Sequence, residues 1–216
     1  MKRSVLALSV LAGLASVASA QFYGGDPDLV NGLWAVDTSY YGLDGRVYED
    51  FNWGGGNVTS VYGNYFLTSG NVDGYRLYIR SGVSSGNGGT LVYSETGAAY
   101  TAGLNGFDAF GFNGYRVDVD NADFFLPAGT YHIALTLVDD DGDYGYVQTT
   151  SGANSIGGPI GNGNSFFDSS AFGAFFLPTS SQYGVDLDHS YGVNIPAPSA
   201  LALLGLGGLA AARRRR

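Results

Sequence analysis

Between residues 21 and 194 no long stretch repeats its apolar residues at the helical period; instead, short segments alternate apolar and polar side chains. In GYRLYIR (74–80), Tyr75, Leu77 and Ile79 fall on one side and Arg76, Tyr78 and Arg80 on the other, because successive strand side chains point to opposite faces. TYHIALTLV (130–138) sets Tyr131, Ile133, Leu135 and Leu137 against His132, Ala134 and Thr136 in the same way. Both stretches predict half-buried strands. Further strands are expected at 33–38, 46–51, 58–66, 90–96, 115–120, 144–150 and 184–195. Between them SGVSSGNGG (81–89), LNGFDAFGFNG (104–114) and SIGGPIGNGNS (155–165) read as turns, and the 35 glycines as loop residues. The 16 tyrosines and 13 phenylalanines supply the bulk that strands prefer. Many short strands with this punctuation predict an all-β domain, an antiparallel β-sandwich of jelly-roll kind.

The two ends of the chain break this pattern. Lys2 and Arg3, the apolar run from Val5 to Ala15, and the small residues Ala18 and Ala20 have the anatomy of a secretory signal peptide, with cleavage expected after Ala20. At the other end, 18 residues from Ile195 to Ala212 carry no charge and show no polar stripe, unlike a helix packed on a soluble surface. As a helix this stretch measures roughly 27 Å, just enough to cross a hydrocarbon core. Arg213, Arg214, Arg215 and Arg216 would hold its end on the cytoplasmic side. The expected organisation is a leader over 1–20, a β-sandwich ectodomain over 21–194, and a hydrophobic helical tail over 195–216 that anchors the chain in a membrane at least transiently.

Charge narrows the partners. The 174 residues from 21 to 194 hold all 19 acidic residues but only Arg46, Arg76, Arg80 and Arg116, and four minus 19 is −15. Such a surface repels phosphate backbones and anionic lipid heads, which excludes nucleic acid as the main partner and leaves cations and neutral or mixed glycans. There is no cysteine, so neither disulfides nor zinc thiolates contribute. The only two histidines, His132 and His189, are expected to be structural.

Few residues carry the pattern of a reactive site. Gly82-Val83-Ser84-Ser85-Gly86 has the spacing of a serine-hydrolase elbow, but Asn87-Gly88-Gly89 follows where a helix should start, so a hairpin loop is expected. Alternate carboxylates Asp139, Asp141 and Asp143 offer hard oxygens to calcium, the one cofactor considered. The EF-hand pattern fails, with Tyr144 at the glycine position and Thr150 at the bidentate glutamate, and an acidic turn is the competing reading. Asp118, Asp120 and Asp123 form a weaker cluster, read as a solvent-facing strand side. Glu49 and Glu95 are the only glutamates for a glycosidase pair. Trp34, Trp53 and exposed tyrosines could stack on sugars, although core packing is the commoner role.

Pro196-Ala197-Pro198, the Ala/Leu/Gly-rich stretch and the arginine cluster together resemble the PEP-CTERM sorting tail of bacterial proteins, with Ala197 where that family usually has glutamate. The stretches 75–97, 126–135 and 149–167 are similar to domains found in front of such tails, a group with no assigned activity. The resemblance implies export, sorting to the cell envelope or surface, and recognition by exosortase, a membrane protease. It implies a structural or binding role in the envelope or an extracellular polymer matrix, with extracellular polysaccharide as a partner and no catalysis. A calcium-supported carbohydrate-binding module is the alternative, and a secreted esterase or glycosidase comes last.

Overall fold

The structure is a computed structural model and describes residues 21–194. The leader with Ala18 and Ala20, and the tail with Pro196, Ala197, Pro198 and its arginines, lie outside the described residues. Among the described residues no helix is long and apolar enough to cross a membrane.

The described chain is almost all strand, in two large sheets and one small pair. The first sheet is organised on β6 (Ser60–Leu67). β10 (Asn113–Val119) pairs antiparallel along its length, with β9 (Thr101–Leu104) beyond. The opposite side of β6 is shared between β17 (Tyr191–Asn194) and β13 (Gly145–Thr150). Outside these lie β1 (Phe22–Tyr23) on β17, and β2 (Pro27–Trp34) and β16 (Asp188–His189) on β13. The second sheet runs in the order β15 (Ala174–Pro178), β14 (Phe166–Ser169), β4 (Arg46–Trp53), β12 (Gly129–Val138), β7 (Gly74–Ser81), β8 (Thr90–Gly97). β3 (Val36–Asp37) lies parallel to the end of β12, a parallel pair in an otherwise antiparallel fold. β5 (Gly56–Val58) pairs with β11 (Phe124–Leu126), and α1 (Ser180–Tyr183) is a single turn.

The two sheets face each other across an apolar core. Phe22 stacks on Phe51 with ring centroids 5.1 Å apart. Two tyrosines bridge the layers through buried hydroxyls: Tyr65 donates to the Leu135 carbonyl at 2.6 Å, and Tyr191 to the Val47 carbonyl at 3.1 Å. Each ring thus buries apolar area while its polar tip is satisfied by a backbone acceptor.

Three expectations are corrected. Tyr75, Leu77 and Ile79 are buried in β7 as alternation predicts, but β12 is buried on both faces from Tyr131 to Leu137. The β14–β15 hairpin, a segment the sequence does not mark as strand, covers the second face: Phe166 and Phe176 form a small outer core with Tyr48 and Ala134. The stretches 33–38 and 184–195 each hold two strands, broken at Ala35 and Ser190.

Nor are the glycines confined to loops. A Cβ on Gly63 would lie 2.6 Å from the Tyr65 hydroxyl, one on Gly97 2.6 Å from the Tyr75 hydroxyl, and one on Gly192 would fall inside the Tyr62 ring. These strand glycines are seats for neighbouring aromatic rings, a way of giving packing partners to positions that otherwise weaken a sheet.

Candidate functional site

One rung of the first sheet carries three aromatic residues side by side. Trp34 on β2 pairs with Tyr146 on β13, which pairs with Phe66 on β6. Tyr65, the neighbour of Phe66, reaches into the core, so strand alternation turns this rung to the other face of the sheet, where Trp34 and Phe66 are covered by neighbouring groups and Tyr146 is half-buried. Trp34 is held by its indole N–H, which donates to the Val36 carbonyl at 2.7 Å, and it meets Tyr146 edge-on at 5.5 Å. Further rings extend the rung both ways. Tyr144 meets Trp34 at 5.8 Å and Tyr41 at 5.7 Å, and Tyr40 follows at 4.8 Å. On the other side Phe112 meets Tyr146 at 5.5 Å, and Phe110 lies edge-on to Phe66 at 5.6 Å.

Phe110 is held unusually. It and Gly111 form the tip of a tight turn between Ala109 and Phe112, with φ of 56° and 84°. Such turns favour Asn-Gly because both central residues take positive φ. A bulky ring there is strained, and it is 64 % exposed. Strain retained at an exposed aromatic residue is a pointer to function.

These rings line two adjoining hollows, of about 180 Å³ between Asn31, Phe66, Phe110, Phe112 and Tyr146, and about 390 Å³ between Trp34, Leu43, Tyr144, Tyr146, Phe172 and Gln182. A third hollow of about 440 Å³ is polar, lined by Asp37, Ser39, Asp44, Arg46, Arg76 and Asp140 beside Leu43. Its charges are mutually tied. Arg76 pairs with Asp37, and Arg46 bridges Asp44 at 3.3 Å and Asp168 at 3.4 Å. Burial would raise the Asp44 carboxyl, but hydrogen bonds from the Ala171 N–H and Ser170, with Arg46 nearby, hold it below its ordinary value.

The acidic run beside this hollow is a closed turn. Asp139 Oδ1 accepts from the backbone N–H groups of Asp141, Gly142 and Asp143 at 3.0 to 3.1 Å. Asp140 is bonded to Ser39, and Asp143 accepts from Ser69. Among the described residues no three side chains of His, Asp or Glu are grouped so as to hold a metal ion, and Asp139, Asp141 and Asp143 take part in this turn. In the second acidic group, Asp118 is gripped by Arg116 at 2.6 to 2.9 Å.

Ser84 lies in a tight hairpin, exchanging backbone hydrogen bonds with Asn87 at 2.8 and 2.9 Å, which is the loop the sequence predicts and not an elbow into a helix. Glu49 and Glu95 are on β4 and β8, three strand spacings apart. That is about 14 Å at the usual interstrand distance, beyond the roughly 5–9.5 Å of glycosidase pairs. Glu95 accepts from the Tyr75 and Tyr93 hydroxyls. Trp53 is buried in the core, its N–H bonded to Leu126.

Glu49 does meet His189, in a sealed polar cluster between the sheets. Its Oε2 accepts from the His189 backbone N–H at 2.8 Å and lies 3.2 Å from Nδ1. Ser165 Oγ approaches the same Nδ1 at 2.9 Å, and Tyr183 Oη faces Nε2 at 3.2 Å. Serine and carboxylate on one ring nitrogen do not make a proton relay, which needs them on opposite nitrogens. Burial pushes His189 down to about 3 and raises Glu49 well above its ordinary value, so burial disfavours the charged form of both partners.

Sequence reasoning named Trp34 but missed Phe66, Phe110, Phe112, Tyr40, Tyr41, Tyr144 and Tyr146 as a group. One signal was there: LNGFDAFGFNG carries three phenylalanines in a stretch read as turn, where apolar bulk has no packing reason of its own.

Residues 194–216 match the PEP-CTERM protein-sorting motif. The match begins at Asn194, the last residue of β17. No curated protein and no solved structure matches the chain. The motif implies an exported protein sorted to the cell envelope or surface, of the kind that exosortase processes.

Proposed function

We propose that this exported protein is a non-catalytic binding component of the extracellular polymer matrix, and that its aromatic groove takes hold of a neutral polysaccharide. The observation that carries this reading is the run of rings built around the Trp34–Tyr146–Phe66 rung: Tyr40, Tyr41, Tyr144 and Phe110 are exposed and Tyr146 half-buried, while Trp34 and Phe66 are buried beneath them and support them. A pyranose ring is apolar on its C–H faces and polar at its rim. It therefore lies on exposed aromatic faces while its hydroxyls bond to the few polar groups beside them, here Asn31 and Gln182. The charge of −15 over residues 21–194 disfavours anionic polymers, and a motif that implies export to the envelope or surface is consistent with an extracellular polymer as partner. Because no carboxylate set converges, we read the binding as independent of calcium.

Affinity electrophoresis of the purified protein in native gels containing hydroxyethylcellulose, galactomannan, dextran or alginate tests this. At least one neutral polymer is expected to retard the protein, alginate is not, and chelator leaves the retardation unchanged. Tyr144→Ala removes an exposed ring from the groove and is expected to weaken retardation about tenfold, equivalent to about 1.4 kcal/mol. Failure of all three neutral polymers to retard the protein, or equal retardation of Tyr144→Ala, overturns the reading. Loss of retardation with chelator would restore the calcium-supported alternative.

A further inference from the structure

Resting on that reading, we infer that the ligand is the interior of an extended glycan chain, bound along one continuous track of at least three sugar units, and not a single terminal sugar. The three hollows share walls. Tyr146 and Gly32 line both aromatic hollows, and Leu43 lines both the second aromatic hollow and the polar one. The lack of a side chain at Gly32 keeps this shared floor low: a Cβ there would press to 3.0 Å from both Phe66 and Tyr146.

Both ends of the track reach exposed residues, Phe110 at one and Asp140 and Ser170 at the other, so a chain can run through it. Its chemistry changes along the way. The Phe110 end offers rings beside a single amide, Asn31, the middle offers Gln182, and the far end offers guanidinium and carboxylate groups that match paired hydroxyls. Arg46 and Arg76 are each already fixed by aspartates, so little side-chain entropy is lost when a sugar arrives. The strained Phe110 turn supports the same assignment from the other end. Its cost is explained if the ring walls the open end of the track beside Phe66.

Calorimetric titration with cello-, manno- or isomalto-oligosaccharides of one to six units, matched to the polymer that retards the protein, is the test. Affinity is expected to rise at least tenfold from one unit to three. Arg76→Gln and Phe110→Asn act at opposite ends, so each is expected to weaken the longer oligosaccharides severalfold. Asparagine tolerates positive φ, so Phe110→Asn should melt no lower than the parent, which separates lost binding from lost fold. Equal affinity for one unit and six overturns the track. So does full polymer binding by both end variants when Tyr144→Ala has lost it, and in that case the groove reading survives. If Tyr144→Ala also binds normally, the groove reading falls with the track.

Discussion

Glu49 and His189 show how one buried contact sets a pH response. Burial, reinforced by the charges of Asp188 and Asp50, raises the Glu49 carboxyl well above its ordinary 4.5. The folded protein therefore keeps a proton that the unfolded chain releases near 4.5, and this contribution to stability is lost as pH rises above that value. The histidines act in the opposite sense. Burial lowers His189 to about 3 and His132 to about 4, whereas the unfolded chain protonates near 6.5. Their contribution is present above 6.5 and lost as pH falls toward the folded values. Glu49→Gln keeps an acceptor for the His189 N–H but removes the ionisation. Its melting temperature relative to the parent should be more favourable at pH 8 than at pH 5. A difference of the same size at both pH values would show that the fold does not raise the Glu49 carboxyl above its unfolded value.

At the scale of elements, the pairing of small and large residues is what lets so many rings enter two thin sheets. Gly192 on β17 lies opposite Tyr62 on β6, and the Tyr62 ring occupies the space a side chain at 192 would need. Gly192→Ala therefore overpacks the ladder, at a cost of roughly 1–3 kcal/mol, or a fall in melting temperature of roughly 2–12 °C for a domain of this size. Gly103→Ala on the edge strand β9 is the control, because a Cβ there meets nothing within 4 Å. Thermal melts that put the two variants at the same temperature would rule out ring seating as the reason for the strand glycines. The β14–β15 hairpin is a second case of an element acting through what it covers. Phe166 and Phe176 turn the His132–Ala134 side of β12 from a solvent face into a small core.

Across the described residues, the chain begins and ends in one place. Phe22 pairs with Val193, and the Gln21 side chain donates to Asn194 at 3.1 Å. β17 lies between β1 and β6 and delivers the Tyr191 hydroxyl to the opposite sheet. A chain covering 21–194 should therefore fold and melt cooperatively, whereas one stopped at Ser190 should not. Circular dichroism melts distinguish them, and a cooperative melt of the shorter chain would show that β17 is dispensable. The sorting motif starts at the last residue of this strand.

The sequence by itself determined what short-range chemistry can encode. The alternation in 74–80 specified a half-buried strand, glycine-rich punctuation specified an all-β domain, and the tail motif specified the sorting class, because each depends on neighbours a few residues apart. Only the tertiary structure decided that β12 is covered twice, that Asp139 closes its own turn, and that Trp34, Tyr146 and Phe66 lie on one rung. Those facts depend on which strand lies beside which, and Phe66 and Tyr146 are 80 residues apart in the chain. Alternation tells a side chain which face to take; it carries no information about the strand, or the ring, that it will find there.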